Sequence, residues 1–290
     1  MMNSKCRKFG RLGVGILALA LGLAMIPQAA QAAFSPDAIS GLKVWFNADS
    51  IGLADGATAT AWDNDATSGL VDATGPSGGA TYETGEINGH AVVRFAAGET
   101  LRWKESGGDA TWSDAGLSTG VTHFAVVNPN ANDNGYLYGY NGGLGYTARN
   151  SKTNISRTGA GNSIGVIVEA ISGPIVHAST ISDISDGAFP TVFATNNGFS
   201  SVTNTATNAG GNLSSDTFVT IGQGVWAGDI AEIIMYDRVL NSSEFNAVGF
   251  YLENKYGLET AFVGPLVPEP ATLALLGLGG LGLLRRRSHV

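Results

Sequence analysis

The chain has 290 residues, and its two ends differ so much from the middle that the globular part is taken as residues 33–264. This part carries nine Lys and Arg against 23 Asp and Glu, a net charge of −14. Such a charge disfavours nucleic acid and anionic lipid as partners because like charges repel. The only cysteine, Cys6, precedes this part, so one domain is expected to be stable through its core, without disulfides.

The first 32 residues have the pattern of a cleavable secretion signal. Basic residues at 5–11 precede an apolar stretch at 12–26, and Ala30 and Ala32 provide the small side chains that signal peptidase accepts. We therefore expect signal peptidase to cleave after Ala32. An uncleaved membrane anchor is the alternative, which the short apolar stretch disfavours.

Between the ends, short runs of β-branched and aromatic residues alternate with clusters of Gly, Asn, Asp and Ser, a spacing typical of an all-β sandwich. The predicted strands are residues 42–47, 91–95, 122–127, 135–140, 164–171, 191–195, 218–222 and 229–236. One helix is predicted after Asn241, whose side chain can cap it, and Gly257 is expected to end it. Its apolar residues at 245, 248, 252 and 256 fall near helical spacing.

Two segments of this middle part resemble the LamG-like, concanavalin A-like jelly-roll family. One is GLKVWFNADSI from Gly41, and the closer one runs from Phe218 to Leu258 and contains GDIAEIIMYDRVLNSSEF. The resemblance implies an all-β, two-sheet antiparallel jelly-roll β-sandwich with one short C-terminal helix. It covers about half of the domain and names no ligand.

Residues 265–290 have the organisation of a separate tail. A Pro-Glu-Pro motif leads into an apolar run at 271–284, and three arginines follow. As a helix the run would span about 21 Å against a hydrocarbon core of about 30 Å, and the arginines favour the cytoplasmic side. The expected signal residues are Pro268, Glu269, Pro270, Arg285, Arg286 and Arg287.

This tail, VPEPATLALLGLGGLGLLRRRS, resembles the PEP-CTERM sorting signal. The resemblance implies recognition by an exosortase, cleavage near residues 268–270, and membrane attachment through the apolar helix before that cleavage. It also implies a Gram-negative host that secretes exopolysaccharide, with the protein at the cell envelope, the cell surface or in the extracellular matrix.

Patterns that would carry catalysis are weak in this sequence. No two histidines have a metal-ligand spacing, and no strand has the closely alternating carboxylates of glycoside hydrolases. Asp229 and Glu232 are three residues apart and would face opposite sides of a regular strand. Glu232 is instead expected to be a structural acid paired with a neighbour such as Arg238. The sequence therefore predicts no catalytic residue.

Two weaker patterns suggest a binding site. Asp63 and Asp65 could offer oxygen atoms to Ca²⁺, although a polar turn is the favoured interpretation. Exposed aromatic side chains could stack on sugar rings, but aromatic residues of a sandwich mostly belong to its core. The candidates are Trp103, Trp112, Tyr136, Tyr138 and Tyr140. No cofactor other than Ca²⁺ is suggested.

Together these patterns predict an exported, non-catalytic cell-surface or extracellular-matrix protein that binds polysaccharide or another matrix component. Its expected partners are signal peptidase and an exosortase during export, the membrane before processing, and extracellular polysaccharide afterwards. Two alternatives remain open: a carbohydrate-active hydrolase or lyase on the same fold, and a purely structural or adhesive matrix protein.

Overall fold

The computed structural model describes residues 34–75, 79–117, 120–130, 136–139, 144–149, 152–159, 162–169, 173–182, 191–205, 218–223 and 226–264. These residues form eighteen strands and one α-helix, with two short 3-10 turns. The elements are β1 Leu42–Asn47, β2 Ala57–Ala59, β3 Ala61–Trp62, β4 Asp72–Thr74, β5 Ala80–Ile87, β6 His90–Phe95, β7 Leu101–Glu105, β8 Gly108–Asp109, β9 Val121–Pro129, β10 Tyr136–Gly139, β11 Leu144–Arg149, β12 Lys152–Gly159, β13 Asn162–Glu169, β14 Ile175–Ile181, β15 Thr191–Asn196, β16 Ser200–Thr205, β17 Thr220–Gln223, β18 Gly228–Tyr236 and α1 Ser242–Tyr256.

The strands form two sheets, in which every described pairing is antiparallel. Sheet A has the order β16-β15-β14-β9-β18-β6-β5-β2, and β1 also pairs with β18. Sheet B has the order β13-β12-β11-β10-β17-β7-β4-β3, and β8 pairs with β7. The predicted all-β, two-sheet antiparallel sandwich with one C-terminal helix is thus confirmed.

All eight predicted strands are present, and their ends differ from the predicted ones by at most two residues. Ten described strands were not among the predicted ones, namely β2, β3, β4, β5, β7, β8, β11, β12, β14 and β16. β2, β3, β4 and β8 have only two or three residues, which is too short for a periodic pattern. β12 and β16, with the sequences KTNISRTG and SSVTNT, are rich in polar residues that also occur in loops.

The main core lies between the two sheets and contains large aromatic side chains. Trp103 and Trp112 are fully buried there, with ring centroids 5.0 Å apart. Phe46 of β1 packs against Trp62 of β3, with centroids 5.6 Å apart, and so joins sheet A to sheet B. The core interpretation of Trp103 and Trp112 is confirmed, and the alternative that they stack on sugars is wrong.

A second core lies between the outer face of sheet A and α1. Val248, Leu252 and Tyr256 of the helix are buried against apolar residues of β9, β14 and β18. The predicted cap is present, since the Asn241 side chain accepts hydrogen bonds from two backbone N–H groups of the first turn. Gly257 ends the helix in the left-handed conformation, as predicted.

Strand β18 carries a bulge that changes which side chains face the helix. Its register with β9 shifts between Ile230 and Glu232. Ile230 and Ile233 therefore belong to the core between the sheets, whereas Ala231 and Ile234 belong to the core beneath α1. The strict alternation predicted from the sequence is wrong here, because a bulge places two successive residues on one side of the strand.

After α1 the chain turns back and packs along the helix. Ala261 N–H donates to the Asn197 carbonyl at 2.7 Å, and Val263 N–H donates to Asn246 Oδ1 at 3.1 Å. The Phe262 ring occupies the space beside Gly249, where an added Cβ would lie 2.3 Å from it. This packing fixes the path of the last described residues beside α1, over the outer face of sheet A.

Candidate functional site

A polar depression lies at the end of sheet A where β6 and β9 end and β18 begins. Arg94 and Asp229 are direct neighbours across β6 and β18. Arg94 Nε donates to Asp229 Oδ1 at 2.7 Å, and Nη2 donates to Oδ2 at 3.2 Å, a two-point contact that fixes both side chains. Asn128 Nδ2 lies 3.5 Å from the same carboxylate.

Two more acids surround the Arg94 guanidinium. Glu86 Oε2 lies 3.0 Å from Nη2, and Glu83 Oε1 lies 3.8 Å from Nη1. The hydrogen bond with Asp229 is the largest cause that raises the pKa of Arg94 above its usual value. Three carboxylates therefore face one cation, and the local charge is negative.

The depression has a volume of about 330 Å³. Its lining includes Arg94, Asn128, Asn130, Gly228 and Asp229. Gly228 has φ +146°, and a Cβ there would lie 2.7 Å from the Asn128 carbonyl oxygen. A side chain at this position would collide with the backbone of β9. Because glycine has none, β9 and β18 can approach each other closely here.

This lining offers both donors and acceptors at short range. The guanidinium and amide N–H groups can donate, and the carboxylate and amide oxygens can accept, so hydroxyl groups are the ligand chemistry that such a surface matches. The sequence predicted both strands but not their pairing, and so not the cation between the acids. Arg94 and Asp229 are 135 residues apart, and only the pairing of β6 with β18 brings them together.

The structure assigns the predicted Ca²⁺ loop to a different role. Asn64 Oδ1 accepts from Trp45 N–H at 2.8 Å, and the Asn64 amide donates to two backbone carbonyls, so this side chain holds the loop against β1. Asp72 Oδ1 accepts from Asn64 N–H at 3.0 Å. Burial raises the pKa of Asp65, and Asp63 lines a separate depression of about 210 Å³.

Across the described residues, no group of three or more His, Cys, Asp or Glu side chains could hold a metal ion. Ca²⁺ takes six to eight oxygen ligands, which include amide and backbone oxygens as well as carboxylates. The contacts of Asn64 and Asp72 are those of a polar turn, and Ca²⁺ binding at Asp63 and Asp65 stays a prediction from the sequence.

Glu232 is a structural acid, but its partners are not the expected ones. Its carboxylate is fully buried and accepts from Trp45 Nε1 at 2.5 Å and from Lys255 Nζ at 2.7 Å. Tyr251 OH and Tyr256 OH donate to the same carboxylate at 3.1 and 2.8 Å. Burial is the largest cause that raises the pKa of both tyrosines.

Arg238 was the predicted partner of Glu232, and this pairing is wrong. Arg238 forms a two-point contact with Glu244 in the first turn of α1, with both distances 2.8 Å. The bulge in β18 explains the difference, because it turns Glu232 towards the helix. It also places Glu232 on the same face of sheet A as Asp229. The residues on either side of Arg94 in β6 face the core between the sheets, so Arg94 and its partner Asp229 face outward. The expected opposite orientation of Asp229 and Glu232 is therefore wrong as well.

His123 and His177 form a buried pair on the inner face of sheet A. Their ring centroids are 5.5 Å apart, and His177 Nδ1 lies 2.9 Å from Asn196 Oδ1. Burial lowers the pKa of His177 to about 4 and that of His123 well below its usual value. The sequence did not identify this pair, because the alternation of side chains along a strand does not show which strands will pair.

The predicted processing residues lie outside the described residues. This applies to Ala30 and Ala32 at the amino end and to the six residues of the sorting signal at the carboxyl end. No helix in the described part of the chain has the length and apolar character to cross a membrane, and the apolar run at 271–284 is not in that part.

Comparison with solved structures supports the sandwich as a class. The binding domain of botulinum neurotoxin DC in complex with rat synaptotagmin II is 10% identical, with a TM-score of 0.51 over 75% of this chain and 52% of that chain. The same domain in complex with SialylT is 8% identical, with a TM-score of 0.50 and the same coverage. A sialidase of Trypanosoma rangeli is 15% identical over 75% of this chain and 33% of that chain, at a TM-score of 0.41.

These identities show the fold alone, and the chain spans about half the length of the neurotoxin chains that it matches. The tail is more specific, since residues 266–288 match the PEP-CTERM protein-sorting motif. A motif of this kind marks an exported protein that an exosortase sorts at the envelope of a Gram-negative bacterium. A comparison with curated proteins finds no match.

Proposed function

We propose that this protein is a non-catalytic cell-surface or matrix component that binds neutral polysaccharide through the Arg94–Asp229 depression. The observation that carries the proposal is the depression itself: an open, polar surface that a guanidinium, amides and a carboxylate line at one end of a sandwich. Export and sorting follow from the tail motif. The LamG-like assignment of the sandwich belongs to the same proposal and rests on the two sequence segments quoted above.

Charge favours a neutral sugar over an anionic one. Asp229, Glu83 and Glu86 surround one guanidinium, and the domain as a whole carries a net charge of −14. One of the similar neurotoxin domains was solved with SialylT, whose sialyl group is an anion. In this chain Arg94 is already engaged by carboxylates, so a ligand carboxylate would meet repulsion instead of a cation.

The proposed lack of catalysis rests on the two acids of β18. Asp229 is held by Arg94, and Glu232 is fully buried beneath four hydrogen-bond donors. A glycosidase needs two carboxyl groups that face one cleft, about 5 Å apart in retaining enzymes and about 6.5–9.5 Å apart in inverting ones. Glu232 is not available for that role.

The test is binding of the processed protein to immobilised polysaccharides, neutral and anionic, with and without EDTA. Binding to a neutral polysaccharide is expected, unchanged by EDTA. Asp229→Asn should weaken it at least about tenfold, as loss of a hydrogen bond to a charged group does, and Asn128→Ala should weaken it less because its amide is neutral. The matched control is Asp237→Asn, which changes the same chemical group in a half-exposed pair with Lys43 outside the depression.

Three results would contradict the proposal in different ways. Binding to anionic sugars alone would overturn the charge inference, and no binding to any sugar would favour the structural or adhesive alternative. Release of reducing ends or unsaturated sugars from the same panel would establish the hydrolase or lyase alternative.

A further inference from the structure

A cleft on the outer face of sheet A lies beside the point where the chain leaves the sandwich. It has a volume of about 330 Å³ and lies between the amino-terminal half of α1 and strands β14 to β16. Phe193, Phe245 and Phe262 contribute its aromatic wall, and Asn246 lies at its edge. Asn246 is the residue that accepts the Val263 N–H, so the exit of the chain and the cleft share this side chain.

Exposed apolar side chains concentrate around this cleft. Of the six large hydrophobic side chains that are exposed among the described residues, three lie at or next to it. They are Phe199, Val239 and Val263, with 60%, 42% and 64% of their surface exposed. Val239 lines the cleft, Phe199 follows the lining residue Gly198, and Val263 follows the lining residue Phe262.

The position of the tail would bring an enzyme bound at the sorting motif close to this cleft. The sorting motif begins at residue 266, only two residues after Gly264, the last residue described. Pro268 lies four positions after Gly264, a reach of at most about 14 Å even when fully extended. A folded enzyme of even 100 residues has a radius of gyration of about 13 Å. An enzyme bound at residues 268–270 must therefore lie close to Gly264 and to the segment beside α1 that leads to it.

We infer that the cleft and its three exposed apolar side chains form a docking surface for the sorting enzyme, which contacts the folded domain as well as the tail motif. This inference rests on the proposed exosortase sorting. A patch of apolar side chains on a soluble surface is typical of an interaction site. The bilayer is a poorer occupant, because a domain with a net charge of −14 is repelled by anionic lipid.

The experiment uses the full chain in its native host and follows processing by pulse-chase and intact mass. Phe199→Ser with Val239→Ser should slow loss of the tail about tenfold, as removal of apolar anchors from an interface does. The matched control is Leu53→Ser with Leu70→Ser, which makes the same change at two exposed positions away from the cleft. Equal processing rates for the two double variants would overturn the inference.

A photoreactive phenylalanine analogue at position 199, with position 53 as the control, gives a second readout that does not depend on altered folding. A covalent adduct between position 199 and the exosortase is expected. An adduct with lipid, with a second copy of the chain or with another protein would overturn the docking surface. The variant Pro268→Ala, Glu269→Ala, Pro270→Ala separates the two proposals: if it is processed like the wild type, the sorting function itself is wrong.

Discussion

Lys255 Nζ lies 2.7 Å from Glu232 Oε2, so that a cation near the end of α1 meets the fully buried carboxylate of the central strand β18. The same ammonium group donates to Asn47 Oδ1 at 2.9 Å and lies 3.5 Å from Asp49 Oδ2. One side chain therefore joins the helix to two strands of sheet A and to the turn after β1. Removing it would leave a buried charge without its cation.

We expect Lys255→Met to lower the free energy of unfolding by about 3–5 kcal/mol, as the loss of one partner from a buried ion pair does. Lys255→Met combined with Glu232→Gln should recover part of that loss, because the buried group is then neutral. Lys43→Met is the control, since its pair with Asp237 is partly exposed and should change stability by less than about 1 kcal/mol. Urea unfolding of all four proteins measures this, and equal effects of the two lysine variants would contradict it.

The buried histidines should make the domain sensitive to acid. Because burial lowers the folded pKa of His177 to about 4, the unfolded chain takes up a proton below pH 6.5 that the folded one rejects. This contribution to stability is complete above about pH 6.5 and is lost as the pH falls to about 4, by about 3 kcal/mol. The free energy of unfolding at pH 7, 5.5 and 4.5 measures this loss.

His177→Gln should flatten that pH dependence, because the titrating group is gone. His90→Gln is the matched control, since His90 is about 30% exposed and pairs with Asp49 at the surface. If both variants lose stability in acid as steeply as the wild type, His177 does not carry the effect, and His123 or the carboxylates do.

Gly249 and Phe262 should show a reversal of sign in a double-mutant cycle. Gly249→Ala alone is expected to destabilise the domain by about 1–3 kcal/mol, because the new methyl group overlaps the Phe262 ring. In a Phe262→Ala background the same substitution should stabilise by up to about 1 kcal/mol, since alanine favours the helix over glycine. Chemical unfolding of the four proteins tests this, and a substitution effect of the same sign in both backgrounds would show that the ring does not fill this space.

The cap of α1 gives a prediction on a smaller scale. Asn241→Ala should cost about 1 kcal/mol, because two N–H groups of the first turn lose their acceptor. Asn254→Ala, the same substitution within the helix, should be neutral or slightly stabilising, since alanine has the higher helix propensity. Thermal unfolding of both variants against the wild type distinguishes a cap from a general effect of losing an asparagine.

Local patterns predicted the elements well, but not the residues that the fold brings together. The helix from Asn241 to Gly257 could be predicted because its cap, its spacing and its final glycine are all local signals. The Arg94–Asp229 depression could not, because it depends on a pairing between strands 135 residues apart. The partner of Glu232 was wrong for a related reason: a one-residue bulge, which no periodicity reveals, redirected its side chain.

Strand β18 also sets the order in which the domain can be completed. It pairs with β1, β6 and β9, whose residues precede it by roughly 100 to 190 positions, and it is followed within the described chain only by α1 and the segment to Gly264. Non-local pairing of this kind is slow, because the chain must close long loops before contacts reward it. If the carboxyl end is exported last, β1, β6 and β9 stay without their central partner until β18 has crossed the membrane. The sorting motif crosses shortly afterwards. Folding of the sandwich and presentation of the tail therefore compete in time, and the rate at which sheet A closes decides whether the sorting enzyme meets a finished domain or a chain that is still folding.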